Sequence, residues 1–226
     1  MIKVFIGFDN LVVSPYNVAQ HSINMRSSQP VSFTPINLRH LTQFHTRVKT
    51  SDQSTEFSIS RFLTPYLAGF EGWAIFMDND MLCLDDIAKL WSLRNEKYAV
   101  MCVKHEHIVQ EGTKFLGQNQ LPYPKKNWSS VMLMNCGKCR ALTPEYVNTA
   151  QGLDLHRFNW LESEDLIGEI PLRWNYLVDY YPTVPTNEVS MLHYTEGGPY
   201  YENYRNCSYA KEWLDEQSDM NRCLIG

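Results

Sequence analysis

Short runs of uninterrupted apolar residues alternate with stretches of helical period along this chain, and that alternation constrains its fold most. Trp73-Ala74-Ile75-Phe76-Met77, Tyr98 to Val103 and Ser130 to Asn135 have no polar face, as expected of strands buried on both sides of a sheet. Lys3 to Phe8, Val31 to Leu38 (with Pro35 inside it) and Val189 to His193 read as further strands. Helical patterns are expected over Tyr16–Met25, Ser54–Leu67, Asp85–Leu93, Thr143–Ala150 and Tyr209–Glu216, with a helix end near Ser163–Gly168. The order predicts an α/β layer with a mostly parallel, Rossmann-like central sheet flanked by helices. A chain of 226 residues can bury roughly 70% of its extended surface, so one domain is expected.

Composition removes several function classes. With 44% hydrophobic and 20% charged residues, disorder and coiled coil are excluded. A net charge of −5 offers no default basic face for nucleic acid. No run of 18 apolar residues occurs, and the opening apolar stretch breaks at Asp9, too early for a secretory signal. The six cysteines lie partly in apolar runs and are expected as reduced core thiols. Cys136-Gly137-Lys138-Cys139 has no second pair to complete a zinc site. These features point to a cytoplasmic protein.

The strongest chemical signal is Asp78-Asn79-Asp80, placed straight after an apolar strand. Ligands bind outside the carboxyl ends of parallel strands. Two carboxylates this close repel unless a cation separates them, and oxygen ligands suit magnesium or manganese. Asp and Asn also favour plain solvated turns. His193 ends a late strand and is followed by Gly197-Gly198, where backbone amides can approach a phosphate. A histidine before an ordinary turn is the alternative.

Taken in order, these pieces resemble the family 8 glycosyltransferases, retaining nucleotide-sugar enzymes of GT-A fold that include glycogenin and bacterial lipopolysaccharide glycosyltransferases. Glu56 to Pro65 resembles that family's helix with an arginine before a proline. Phe76 to Leu82 is similar to its DxD strand, Ser129 to Asn135 to its following strand, and Ser163 to Leu166 to its DQD segment. Pro171 to Asn175 and Leu192-His193-Tyr194 with Gly197 resemble its closing motifs. The resemblance implies that Asp78, Asp80 and His193 hold Mn2+ or Mg2+ on the diphosphate of a UDP-sugar. It implies that Arg61 pairs with donor phosphates or braces the DxD loop, and that Asp165 is the carboxylate beside the transferred sugar. Phe8, Asp9, Tyr16, Asn79, Gly197 and Gly198 join Arg61 as donor-binding residues, although Phe8 and Tyr16 are equally candidates for the core. Trp174 and Asn175 are expected as core plus one buried polar contact.

The resemblance runs through most of the chain and implies one GT-A domain over residues 1–226, with a nucleotide-binding half at 1–103 and an acceptor-binding half at 104–226. The implied partners are a nucleotide-sugar donor and a carbohydrate or glycan acceptor, and a homodimer is compatible with it. The polar loop 105–127, with Lys104, His105, His107 and Gln118 in or beside it, and the tyrosine-rich stretch 194–209 are candidates for acceptor binding and closure. Where the family continues its terminal motif with a lysine, this chain has Gly198-Pro199-Tyr200. A nucleotidyltransferase would also use a DxD, but needs a basic glycine-rich loop that Gly7-Phe8-Asp9-Asn10 does not supply. A non-catalytic nucleotide or sugar binder of the same fold is the third reading.

Overall fold

The computed structural model describes residues 1–48, 53, 55–106, 113–114, 118–119 and 125–222. Strands β1 (Ile2–Gly7), β2 (Val31–Ile36), β3 (Trp73–Met77), β4 (Met81–Cys83), β5 (Val100–Cys102), β6 (Thr113–Lys114), β7 (Gln118–Asn119), β8 (Val131–Asn135), β9 (Ile167–Glu169), β10 (Tyr176–Leu177) and β11 (Met191–His193) alternate with helices. The helices are α1 (Ser14–Arg26), α2 (Thr64–Leu67), α3 (Ile87–Ser92), α4 (Pro144–Thr149), α5 (Gly152–His156) and α6 (Ala210–Met220). The central sheet has the order β2-β1-β3-β8-β5-β9. Strand β8 runs against β3 and β5, and the other strands share one direction. The mostly parallel sheet and single-domain α/β architecture are therefore as expected. Because β8 lies between β3 and β5, the stretches 1–103 and 104–226 share one sheet.

The apolar runs lack a polar face because both faces of the sheet are covered. Phe5, Phe76, Met132 and Met134 pack on one side with Phe62, Leu63 and Trp160. Val4, Ile6, Ile75, Met77 and Leu133 pack on the other with Ile23 and Ile87. Alternate residues of one strand thus serve two cores. Full burial of each such side chain contributes about 1.5–3 kcal/mol. Pro35 is tolerated because β2 is an edge strand, where a missing N–H breaks no interior ladder.

A smaller sheet, β10-β11-β4, carries a third cluster in which Leu82, Leu192 and Tyr194 pack against Val18 of α1 and Trp213 of α6. Glu216 fastens α6 to α1, with Oε1 2.6 Å from His21 Nδ1 and Oε2 2.7 Å from Arg26 Nη2.

Two helical expectations fail. Over Ser54–Leu67 (Ser54 lies outside the described residues) there is a 3-10 turn at Ser60–Leu63 and then only α2. The Ser58 hydroxyl engages both the Thr55 N–H and the Thr55 carbonyl, a local pairing that competes with the helical ladder. Pro65 then occupies the first turn of α2, where its missing N–H costs nothing. Near Ser163–Gly168 the chain makes a single 3-10 turn, Glu164–Leu166, and passes into β9. Among the described residues, no helix is long and apolar enough to cross a membrane.

Candidate active site

The end of β3 is pinned before any side chain acts. The Asp78 N–H donates to the Ser130 carbonyl at 2.9 Å, extending the β3–β8 ladder by one bond. The chain then turns through Asn79 and Asp80 into β4, which pairs antiparallel with β11 so that His193 faces Met81. The Tyr194 N–H donates to the Asp80 carbonyl at 3.0 Å. This pairing brings His193 to a carboxylate more than a hundred positions earlier: Nε2 lies 3.4 Å from Asp80 Oδ1.

Asp78, Asp80 and His193 each direct one ligand atom into a group whose members lie within 4.8 Å of one another. Two ligands bound at 2.0–2.6 Å to one ion are at most about 5 Å apart, so this spread fits a single divalent cation. Two carboxylate oxygens and an imidazole nitrogen also suit manganese or magnesium by type. Side-chain exposure is 2% at His193 and 23% at Asp80, so the open approach lies on the carboxylate side. Burial works against the Asp80 carboxylate, yet His193, through charge and hydrogen bonding, and then Arg61 hold its carboxyl below the usual range.

Arg61 is buried, and two of its three guanidinium nitrogens are engaged at this edge. Nη1 lies 2.7 Å from Asp78 Oδ1 and donates to the Ser129 carbonyl at 3.0 Å, and Nε donates to the Ser58 carbonyl at 3.1 Å. Its Cζ lies over the rings of Phe57 and Phe76, at 5.4 and 5.2 Å from their centroids. These contacts tie Arg61 to the first carboxylate of the DxD and to the two flanking segments.

The remaining expected donor residues take varied positions. Tyr16 is buried in an edge-on pair with Phe8, with centroids 5.0 Å apart, and both belong to the core beside β1. Asp9 Oδ1 accepts from the Leu11 N–H, a local turn bond. Asn79 is buried between the two carboxylates. Gly197 and Gly198 make room for tyrosines. A Cβ at Gly198 would fall 2.4 Å from the Tyr200 ring, and one at Gly197, with φ +133°, would fall 2.7 Å from that of Tyr204.

The structure does not bring Asp165 into the group. It is exposed, its N–H donates to Ser163 Oγ, and it precedes β9, which runs in the direction of β3. It is thus delivered on the strand-start side, while the carboxylates lie where β3 ends. The expectation of a catalytic carboxylate at Asp165 followed motif order, and the direct passage from turn to strand leaves no helix to carry it across. His105 stacks on Tyr181 and its Nδ1 lies 2.8 Å from the tyrosine hydroxyl. His107 lies outside the described residues. In the tyrosine-rich stretch, burial and then the Asp80 charge push the Tyr200 hydroxyl well above its ordinary value.

The sequence signal understated Asn175, whose side-chain oxygen lies 2.9 Å from His193 Nδ1. Its place after an apolar tryptophan was the available hint. Ser129 and Ser130, read only as strand residues, receive bonds from both arms of the site.

No family model matches the chain. Protein CDI of Arabidopsis thaliana is 45% identical over 227 residues, spanning 97% of this chain and 87% of that protein. Among solved structures, an active-site mutant of LgtC superposes with a TM-score of 0.65 at 12% identity, over 99% of this chain and 98% of that one. The galactosyltransferase LgtC with donor and acceptor sugar analogs gives a TM-score of 0.61 at 13% identity, with the same coverage. The apo glycosyltransferase GlyE of Streptococcus pneumoniae TIGR4 gives 0.64 at 13% identity, over 97% of this chain and 61% of GlyE, so the chain spans about three fifths of that protein. The likeness shows a GT-A fold of the family 8 kind.

Proposed function

The chain belongs to the family of Protein CDI of Arabidopsis thaliana and has a family 8-like GT-A fold, and we propose that it is a metal-dependent, retaining glycosyltransferase. It moves a hexose from a uridine diphosphate donor to an acceptor hydroxyl on a carbohydrate. The observation that carries this reading is the convergence of Asp78, Asp80 and His193 at the strand-end edge of that fold. LgtC, which shares the fold, was solved with donor and acceptor sugar analogs.

Asp78, Asp80 and His193 would hold Mn2+ or Mg2+. When bound, the ion supplies Lewis-acid stabilisation of the charge that develops on the leaving diphosphate. Arg61 holds the Asp78 carboxylate in place through its fork and its two ring contacts. In the transfer, the bond from the anomeric carbon to the diphosphate oxygen breaks as the bond to the acceptor oxygen forms on the same face. The acceptor proton passes to the leaving diphosphate. This route needs no protein nucleophile, in keeping with the placement of Asp165.

The test is release of uridine diphosphate from a panel of UDP-sugars with Mn2+, alongside thermal shift. The expected result is metal-dependent release, slow without acceptor, and stabilisation by uridine diphosphate with Mn2+ of about 2.7 kcal/mol at a hundredfold excess over Kd. Asp80→Asn should abolish both. Stabilisation by nucleoside triphosphates alone would instead support a nucleotidyltransferase. Metal-dependent nucleotide binding without turnover on any donor or acceptor would support a binding protein.

A further inference from the structure

The carbonyl of Asn127 can only accept hydrogen bonds, and that restriction propagates to His193. Ser130 Oγ donates to the Asn127 carbonyl at 2.6 Å, so its single proton is committed and the oxygen is left to accept. Asn175, fully buried, presents its amide nitrogen to both oxygens, 2.8 Å from Ser130 Oγ and 3.2 Å from the Asn127 carbonyl. The reversed amide would place an oxygen against that carbonyl, leaving two acceptors face to face. The orientation of Asn175 follows, and its Oδ1 faces His193 Nδ1 at 2.9 Å. Nδ1 must therefore carry a proton, and Nε2 is the nitrogen turned to Asp80.

We infer that Asn175 is a positioning residue that fixes the tautomer and ring orientation of His193, and that Ser130 and the Asn127 carbonyl set the orientation of Asn175. The inference rests on the reading that Asp78, Asp80 and His193 hold a divalent ion. The same short segment serves the other arm. The Ser130 carbonyl accepts from the Asp78 N–H at 2.9 Å and the Ser129 carbonyl accepts from Arg61 Nη1 at 3.0 Å. The 127–130 segment is therefore one platform beneath ligands supplied by two sheets. Ligating histidines depend on the partner of their second nitrogen, and loss of such a partner typically costs 10–100-fold in metal affinity.

The experiment measures Mn2+ affinity of the full chain by electron paramagnetic resonance, with unfolding curves of the metal-free proteins recorded alongside. Asn175→Leu removes the acceptor at similar size and should weaken Mn2+ binding about 10–100-fold. In a His193→Ala background the same change should produce no further loss, because Asn175 acts through the imidazole. A folded Asn175→Leu protein with unchanged Mn2+ affinity overturns the inference, as does an equal loss in both backgrounds. If Asn175→Leu does not fold, long-range proton–nitrogen NMR of the histidine rings in the wild type decides, because a proton on Nδ1 of the neutral His193 ring supports the inference and one on Nε2 overturns it. Failure of the wild type to bind Mn2+ with or without uridine diphosphate removes the metal reading itself, a result separate from those.

Discussion

Arg61 Nη1 lies 2.7 Å from Asp78 Oδ1, and the same nitrogen donates to the backbone of Ser129 in the 3-10 turn that leads into β8. The first carboxylate of the DxD is thus tied to a structural arginine, while Asp80 is approached by His193. Each carboxylate thus has its own cationic or imidazole neighbour, and the Asp80 side chain is the more exposed of the two, at 23% against 14%.

Arg61→Lys keeps the charge but cannot reproduce a flat fork serving two carbonyls, a carboxylate and two rings. At least one of the buried Ser58 and Ser129 carbonyls should lose its partner, at about 1–3 kcal/mol. For a chain of this size, Tm should fall by about 2–4 °C per kcal/mol. Mn2+ affinity should fall with it, because Asp78 loses its brace. Calorimetry and Mn2+ titration check this, and an unchanged Tm would make Arg61 a dispensable contact.

Asp165→Asn should leave turnover within about twofold and stability within about 0.5 kcal/mol, as for an exposed residue away from the chemistry. Asn serves a short turn as well as Asp does. A hundredfold fall in turnover with intact nucleotide binding would restore the catalytic role that motif order suggested.

The buried thiols should resist alkylation. Burial pushes Cys83 and Cys102 up to about 12 and Cys136 and Cys207 up to about 11, and raises Cys139 further. A thiol with its pKa near 11 has about one thiolate in a thousand at pH 8, and that fraction grows about tenfold per pH unit up to 10. Cys207 is half-buried and the other four are fully buried. With iodoacetamide and peptide mass spectrometry, Cys207 should be modified first among these five, and Cys136 and Cys139 only on unfolding. Cys223 lies outside the described residues. Rapid modification of Cys136 in the folded protein would reopen a redox role for the CxxC.

Glu216→Ala should destabilise the protein by about 2–3 kcal/mol, since it strips Arg26 and His21 of a charged partner at the α1–α6 contact. Helix α6 carries Trp213, whose ring centroid lies 5.2 Å from that of Tyr200, so the loss should also loosen the tyrosine stretch. Urea unfolding gives the first effect, and faster hydrogen exchange over 194–205 the second. A change below about 0.5 kcal/mol would mean that the contact is solvent-screened.

Strands β3, β5 and β8 were legible because burial on both faces leaves an apolar run that few other structures require. Asp78 and Asp80 were legible because a polar triplet ending such a run stands at the ligand-binding edge. Ser54–Leu67 was not, since the local hydroxyl bonds of Ser58 compete with helix at a strength that periodicity does not measure. Asp165 stands outside the carboxylate–histidine group because a motif match carries order but not the length of the element behind it.

By itself, then, the sequence determined β1, β2, β3, β5, β8 and β11, burial on both faces of the sheet and the carboxylate pair, which follow from local periodicity and neighbouring residue types, whereas β4, β9 and β10 were not read as strands. The resemblance named His193 and Arg61, but only the tertiary structure decided how they meet the carboxylates and that Asn175 joins them. His193 reaches Asp80 through the pairing of β4 with β11, Arg61 reaches Asp78 from a buried turn, and Asn175 reaches His193 through an amide whose direction is set by a carbonyl on a third segment. Such contacts join positions far apart in the chain, and hydrogen-bond direction exists only once donors and acceptors are placed in space.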